Sequence, residues 1–476
     1  MKLFIICFLF FSCFKAKKAP LDLTRSNTTL SSLLTTLLRP TSTTTSTTPV
    51  VPASGTIGVG VKTHTTLTIL LSPPTGMSGT VEYRIFASYP DVWTTISEVE
   101  ANAIEKLPYT PNLTSYQITG LEPYQFYRID IIAKDNNDTK ILFPYFCVQM
   151  DPNISGTVTC STGPKGIVTT LVGTGSSGSN DGNFSVASFN QPTSMTTIGN
   201  TIYLTDTTNH TIRSLNLTTQ VVSTVAGLAL STGYVNAIGT SARFFTPMGI
   251  TTDGSNLFVT DRSNQVIRLV NPLTGSVSTV VGPATTMAGA FADGSGTSVR
   301  FNSPNSIIYN GTDIYISDED NCRIRKMTLV GVVSTHAGNF SCGNSNGSLL
   351  TATFSANMTY INFARNFLLL TDFGNNNIRK IDVNPSGNVS NLLNITSPRA
   401  ILAYGKFIYI SETNTHKIIK FNSETNTQTD FVGTGSSGSN DGTGVNASFN
   451  FPNSMIFIGN TLYVIDTNNH KVRKIE

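Results

Sequence analysis

The sequence is short of charge. Only 12% of its 476 residues are Asp, Glu, Lys or Arg, and the formal net charge of +3 is not gathered into a patch. A phosphate-binding face concentrates Lys and Arg, so a nucleic-acid partner is excluded. The chain also lacks a long apolar segment. Leu3 to Phe11 is the one marked hydrophobic run, and it follows Lys2 at the length of an export signal, too short for a permanent membrane-spanning helix. Tryptophan occurs once, as Trp93, and histidine five times. In place of charge the chain carries Thr, Ser, Asn and Gly, with 39% hydrophobic residues, which is the composition of a β-rich, globular, exported protein.

Leu9-Phe10-Phe11-Ser12-Cys13 resembles a bacterial lipobox, in which a small residue precedes a cysteine that is lipidated and becomes the first residue after cleavage. The usual aliphatic residue three places before the cysteine is Phe10 here, so an ordinary cleaved signal containing Cys13 stays open. Residues 1–13 are thus expected to be a lipoprotein-type signal with Cys13 as the lipidation site. Residues 14–53 are rich in Ser and Thr, including Thr41 to Thr48, and carry Pro40, Pro49 and Pro52. Such a stretch buries too little apolar surface to offset its ordering entropy and reads as a flexible tether.

Residues 54–163 contain alternating strands, among them Thr66 to Leu71 and Val81 to Ala87. Leu121-Glu122-Pro123, with Tyr127 four residues after the proline and then Ile129, Ile131 and Ala133 at every second place, resembles the fibronectin type III signature. The resemblance implies a β-sandwich with Tyr127 as a tyrosine corner. The family's strand-B tryptophan is absent; Trp93 stands elsewhere, either as a displaced core residue or as an exposed contact residue.

From residue 164 to residue 476 one phrase returns six times: an alternating strand, an acid, a polar turn, and a second strand with a basic residue. The acids are Asp206, Asp261, Asp318, Asp372, Glu412 and Asp466, at intervals of 55, 57, 54, 40 and 54 residues. A unit of this length holding several short strands is a β-propeller blade, which cannot bury both faces alone. The prolines that open the units (Pro192, Pro247, Pro304, Pro398, Pro452), the Tyr/Phe-Val/Ile strand ending in Asp, the Ile/Val-Arg strand and the Val-Ser-Thr-Val strand, as at Val221 to Gly227, resemble the NHL repeat. The fold expected is therefore all-β: a six-bladed propeller preceded by a fibronectin type III-like sandwich. The sixth unit runs out at its third strand, and Ile167 to Val172 has the pattern of the missing fourth, so it is expected to complete the last blade. The recurring Phe189, Phe244, Phe301, Phe354 and Phe449 read as plugs that seat each inter-blade loop.

The acids pair by position with Arg213, Arg268, Arg325, Arg379 and Arg473, and where the acid is Glu412 the arginine position holds Ile419. A functional site needs unlike groups in one place, whereas these are like groups in six places, so the pairs read as structural rungs. His210, His416 and His470 recur at one turn position and belong to different blades, which argues against a shared metal. The Asp-Gly pairs at Asp181, Asp293 and Asp441 fit either calcium ligation or an Asx-type turn. Four cysteines follow the signal, with Cys322 and Cys342 placed for one disulfide and Cys147 and Cys160 for another; four buried thiols are the alternative.

NHL-like propellers commonly serve as interaction platforms, so the resemblance implies an exported, envelope-located, lipid-anchored scaffold. It would be monomeric and without a cofactor, binding a protein, peptide or glycan on a propeller face and the membrane through its lipid; a soluble secreted or periplasmic form is the alternative address. The rival is a metal-dependent, lactonase- or lyase-like enzyme with its site in the central channel. Unlike residues pointing inward at one repeat position would mark such a site, and none is evident in the sequence.

Overall fold

The computed structural model describes residues 164–476, except 365, 366, 405 and 424, together with nine strands between residues 57 and 149. Those nine strands form two antiparallel sheets. One joins Ile57–Lys62, Leu67–Leu71 and Ser115–Ile118. The other centres on Glu82–Ser88 paired with Phe126–Lys134, and Ile85, Ile129 and Ile131 are buried. Cys13, the signal, the tether and Cys160 lie outside the described residues, as do the side chains of Tyr127 and Cys147.

Residues 164–476 form six four-stranded antiparallel blades. In blade 1 the strands are Pro192–Ile198 (a), Thr201–Asp206 (b), Thr211–Asn216 (c) and Val221–Ala226 (d). The other strands a start at Pro247, Pro304, Met358, Pro398 and Pro452. Blade 6 takes its strand d from the far end of the repeat array: Ile167–Val172 pairs antiparallel with Lys471–Ile475. Joining the two ends of the array in one sheet closes the ring and leaves no blade edge unpaired at the seam. Blades 1, 3, 4 and 6 add a two-residue strand outside strand d, at Gly182, Gly294, Gly347 and Gly442, which the sequence pattern does not announce.

The hydrophobic core is divided into six clusters, one at each blade junction. Period-two alternation explains this. In strand b of blade 1, Ile202 and Leu204 pack toward blade 6, while Tyr203 packs toward blade 2. Strands b are buried on both faces, while the outer strands d expose alternate residues, so no blade can hold its fold without neighbours.

Candidate functional site

Two sets of polar side chains occupy the ring. The first is the repeated rung. In blade 1 the buried carboxylate of Asp206 accepts from the Asn190 N–H at 2.7 Å, from Asn209 Nδ2 at 2.8 Å and from the Arg213 guanidinium at 2.8 Å. The terminal nitrogens of Arg213 also donate to the Ser188 and Asn180 carbonyls and to Asp181 at 2.7 Å, its buried Nε has no acceptor, and its face lies 5.3 Å from the centre of the Phe189 ring. The same rung recurs as Asp261–Arg268, Asp318–Arg325, Asp372–Arg379 and Asp466–Arg473, at 2.7, 2.6, 3.2 and 2.8 Å. All five of these arginines are fully buried. Burial pushes the Asp206, Asp261 and Asp318 carboxyls up to about 6, against the pull of the arginines and amide donors. In blade 5, Glu412 accepts instead from the Thr415 hydroxyl at 2.7 Å, and Ile419 fills the arginine position as a buried apolar residue.

The rung also accounts for the three Asp-Gly carboxylates considered for calcium. Asp181, Asp293 and Asp441 each bind the arginine of the blade that follows their loop, at 2.7, 2.6 and 2.8 Å, and accept from Thr224, Thr335 and Thr170. Neutral Asn236 and Asn346 do the same for Arg268 and Arg379. A position that works equally with an uncharged amide is an arginine acceptor, and among the described residues no three His, Cys, Asp or Glu side chains gather as metal ligands.

The turn histidines have a different task. Each closes the b-to-c turn in the left-handed region, at φ 59°, 54° and 54° for His210, His416 and His470. From there Nδ1 accepts the backbone N–H that opens the next blade, at Thr246, Phe451 and Gln191. Gln265 and Asn376 do this with a side-chain carbonyl, to Ser303 and Ser397. The sixth junction holds Cys322, whose disulfide to Cys342 (Cα–Cα 5.3 Å) takes the place of the hydrogen bond.

The second set lines the central channel, and here the structure corrects the sequence reading. Unlike residues do point inward at one repeat position: the residue after the first of each strand a, namely Thr193, Met248, Asn305, Thr359, Arg399 and Asn453, meets in a small polar chamber. These residues lie some 40 to 60 positions apart in sequence, and comparing the residue after each repeat-opening proline is the signal that would have found most of them. The Arg262–Glu319 pair, at 3.0 Å, also belongs to this neighbourhood, with Asn305 Nδ2 donating to the same Glu319 oxygen at 3.0 Å.

Toward the other ends of strands a, the channel widens into an open cavity lined by residues including Met195, Ile307, Tyr309, Phe363, Tyr404 and Phe457, with no charged side chain in its wall. Tyr360 contributes to both cavities. Its hydroxyl reaches across from blade 4 to Ser454 of blade 6 at 3.0 Å, so the ring stands between the polar chamber and the apolar funnel. Burial raises the Tyr360 pKa, which keeps its hydroxyl protonated for that bond.

Comparison with known proteins shows the same architecture with little shared sequence. No family model matches the chain. A 98-residue stretch is 38% identical to NHL repeat-containing protein 2 of Gallus gallus, covering 19% of this chain and 13% of that protein. A 53-residue stretch is 47% identical to the Bos taurus protein of the same name, covering 11% and 7%. The chain therefore matches only a small part of the length of these relatives. A structural genomics protein of unknown function from Bacteroides thetaiotaomicron superposes with a TM-score of 0.53 at 13% identity, over 88% of this chain and 97% of that one. Together these comparisons support NHL-repeat homology over part of the chain and the six-bladed propeller fold.

Proposed function

We propose that the protein is an exported binding scaffold, held at the cell envelope by a lipid on Cys13, whose propeller recognises a protein, peptide or glycan. The observation that carries this reading is the division of labour among polar side chains. The repeated acids, arginines and turn residues are consumed by the ring itself, and the groups left facing the channel are hydroxyls, amides and one guanidinium above an apolar funnel. Concave sites with an apolar body and a few convergent polar groups are the usual form of ligand sites. Residues 54–163 fit a fibronectin type III-like spacer in this scheme, and residues 14–53 fit a tether that carries the propeller clear of a lipid surface.

The reading is tested with the purified full chain on peptide and glycan arrays. Saturable binding lost on filling the funnel with Ile307→Trp is expected, and binding indifferent to the channel would overturn it. Mass spectrometry of the mature protein tests the anchor: a diacylglyceryl-modified Cys13 at the first position is expected, and an unmodified residue there removes the lipid from the scheme.

A further inference from the structure

The polar chamber is small, with enclosed room for a group about the size of one water molecule, so it takes only the tip of a ligand and not a whole sugar or side chain. Most of its polar lining is already engaged. The Thr193 and Thr359 hydroxyls donate to carbonyls of the next blade, at Met248 and Arg399. Two groups are not engaged. The Arg399 guanidinium has no hydrogen-bond acceptor and no contact ion pair among the described residues; Glu319, already paired with Arg262, acts on it from a longer range, and the Phe451 ring stands 5.8 Å away. Asn453 is 3% exposed, and its side-chain amide has no hydrogen-bond partner among the described residues. The five rung arginines of strands c each hold a carboxylate, whereas Arg399, on a strand a, has none in contact.

Buried polar groups are nearly always satisfied, and those that are not ask for an explanation. We infer that Arg399 and Asn453 form a recognition site for a single carboxylate at the end of the ligand. This deepens the binding-scaffold reading and rests on it. Charge sets the class. Arg262 pairs with Glu319, and Arg399 and Asp320 lie within electrostatic reach of the same carboxylate, so two positive and two negative side chains balance at the channel mouth. A single negative charge is the most that this balance accepts, and a doubly charged phosphate would meet the Glu319 and Asp320 carboxylates with too few cations. Geometry agrees, since the planar fork of an arginine matches a carboxylate in a two-bond pair, with the Asn453 amide available as a further donor. Burial lowers the Arg399 pKa, partly offset by Glu319, the mark of a cation held in the channel at a cost that a bound anion would repay. A peptide C-terminus and a uronic acid present the same group.

The test uses the full chain and calorimetric titration with four probes: N-acetylglycine against N-acetylglycinamide, and glucuronate against glucose. Both carboxylates should bind and both neutral partners should not; the stronger of the two carboxylates names the source. Arg399→Gln should weaken carboxylate binding by about tenfold or more, and Asn453→Ala by less. The melting temperature of Arg399→Gln should be unchanged or higher, because the substitution removes a cation that has no contact partner in the fold. Wild-type affinity in Arg399→Gln, equal binding of the neutral probes, tighter binding of inorganic phosphate, or a marked fall in its melting temperature would each overturn the carboxylate site. A larger ligand retained equally by the wild type and Arg399→Gln would leave the scaffold reading standing and remove only the carboxylate.

Discussion

The rung and the channel are both built from polar side chains on short strands, yet they obey opposite rules. In the rung, Asp, Asn and Arg repeat from blade to blade, and both terminal guanidinium nitrogens of each arginine find acceptors inside the ring, with only Nε left over in all five. In the channel, no two neighbouring blades offer the same residue after the start of strand a, and Arg399 and Asn453 are left open. Repetition with satisfaction marks scaffold, because each blade must solve the same burial problem. Variation with unsatisfied groups marks a place where selection acted on something other than folding.

The largest effects should come from breaking the rung. Arg268→Met leaves Asp261 buried without its cation and frees the Arg243 and Val235 carbonyls, so a loss of about 3–5 kcal/mol is expected in urea denaturation. Ile419→Val in blade 5, where no ion pair exists, should cost only about 1 kcal/mol. Equal losses at the two sites would erase the distinction between blade 5 and the others.

The disulfide comes next. Cys322 and Cys342 are 20 residues apart, and replacing both with serine should cost about 3 kcal/mol by releasing that loop in the unfolded chain. Reduction of the wild type should give the same loss, and reduction of the double variant none.

The histidine latches give a smaller, pH-dependent effect. An Nδ1 that accepts a backbone N–H requires the neutral ring, and burial lowers the pKa of His210 and His470 below the ordinary 6.5. The unfolded chain then takes up protons first as pH falls. The stabilisation is complete above 6.5 and is lost as pH drops through that value toward the lowered folded pKa. His470→Gln keeps an acceptor of the kind Gln265 already supplies at another junction. Its melting temperature should fall less than that of the wild type between about pH 7.5 and about pH 5. An identical fall would show that His470 does not titrate with folding. At the small end of the scale, the channel substitution Arg399→Gln should cost no stability at all, which is the sharpest contrast with Arg268.

Much of the ring was legible before any coordinates. The positions of Asp206 and its counterparts fix blade spacing, and the displaced strand-d pattern of Ile167–Val172 matches the strand that pairs with Lys471–Ile475. Such features are local: a strand's period, a turn's acid and a repeat's length are all written in consecutive residues. The partner of Cys322 was also within reach, because both cysteines lie near the ends of one blade's strands.

The channel was not legible, for a physical reason. Thr193, Asn305, Arg399 and Asn453 become neighbours only when six blades close into a ring, so their proximity belongs to no blade and to no stretch of sequence. Nor could the sequence say which arginine would lack an acceptor, since satisfaction is a property of the finished packing. The chain by itself determined the number of blades, their register and the seam, because those follow from periodicity and from the need to bury both faces of each blade's inner strands. Tertiary structure alone decided that Asp181, Asp293 and Asp441 serve arginines, that the turn histidines tie three of the blades to the next, and that one guanidinium faces the channel without a hydrogen-bonded partner, because each depends on what closure brings within a hydrogen bond's length.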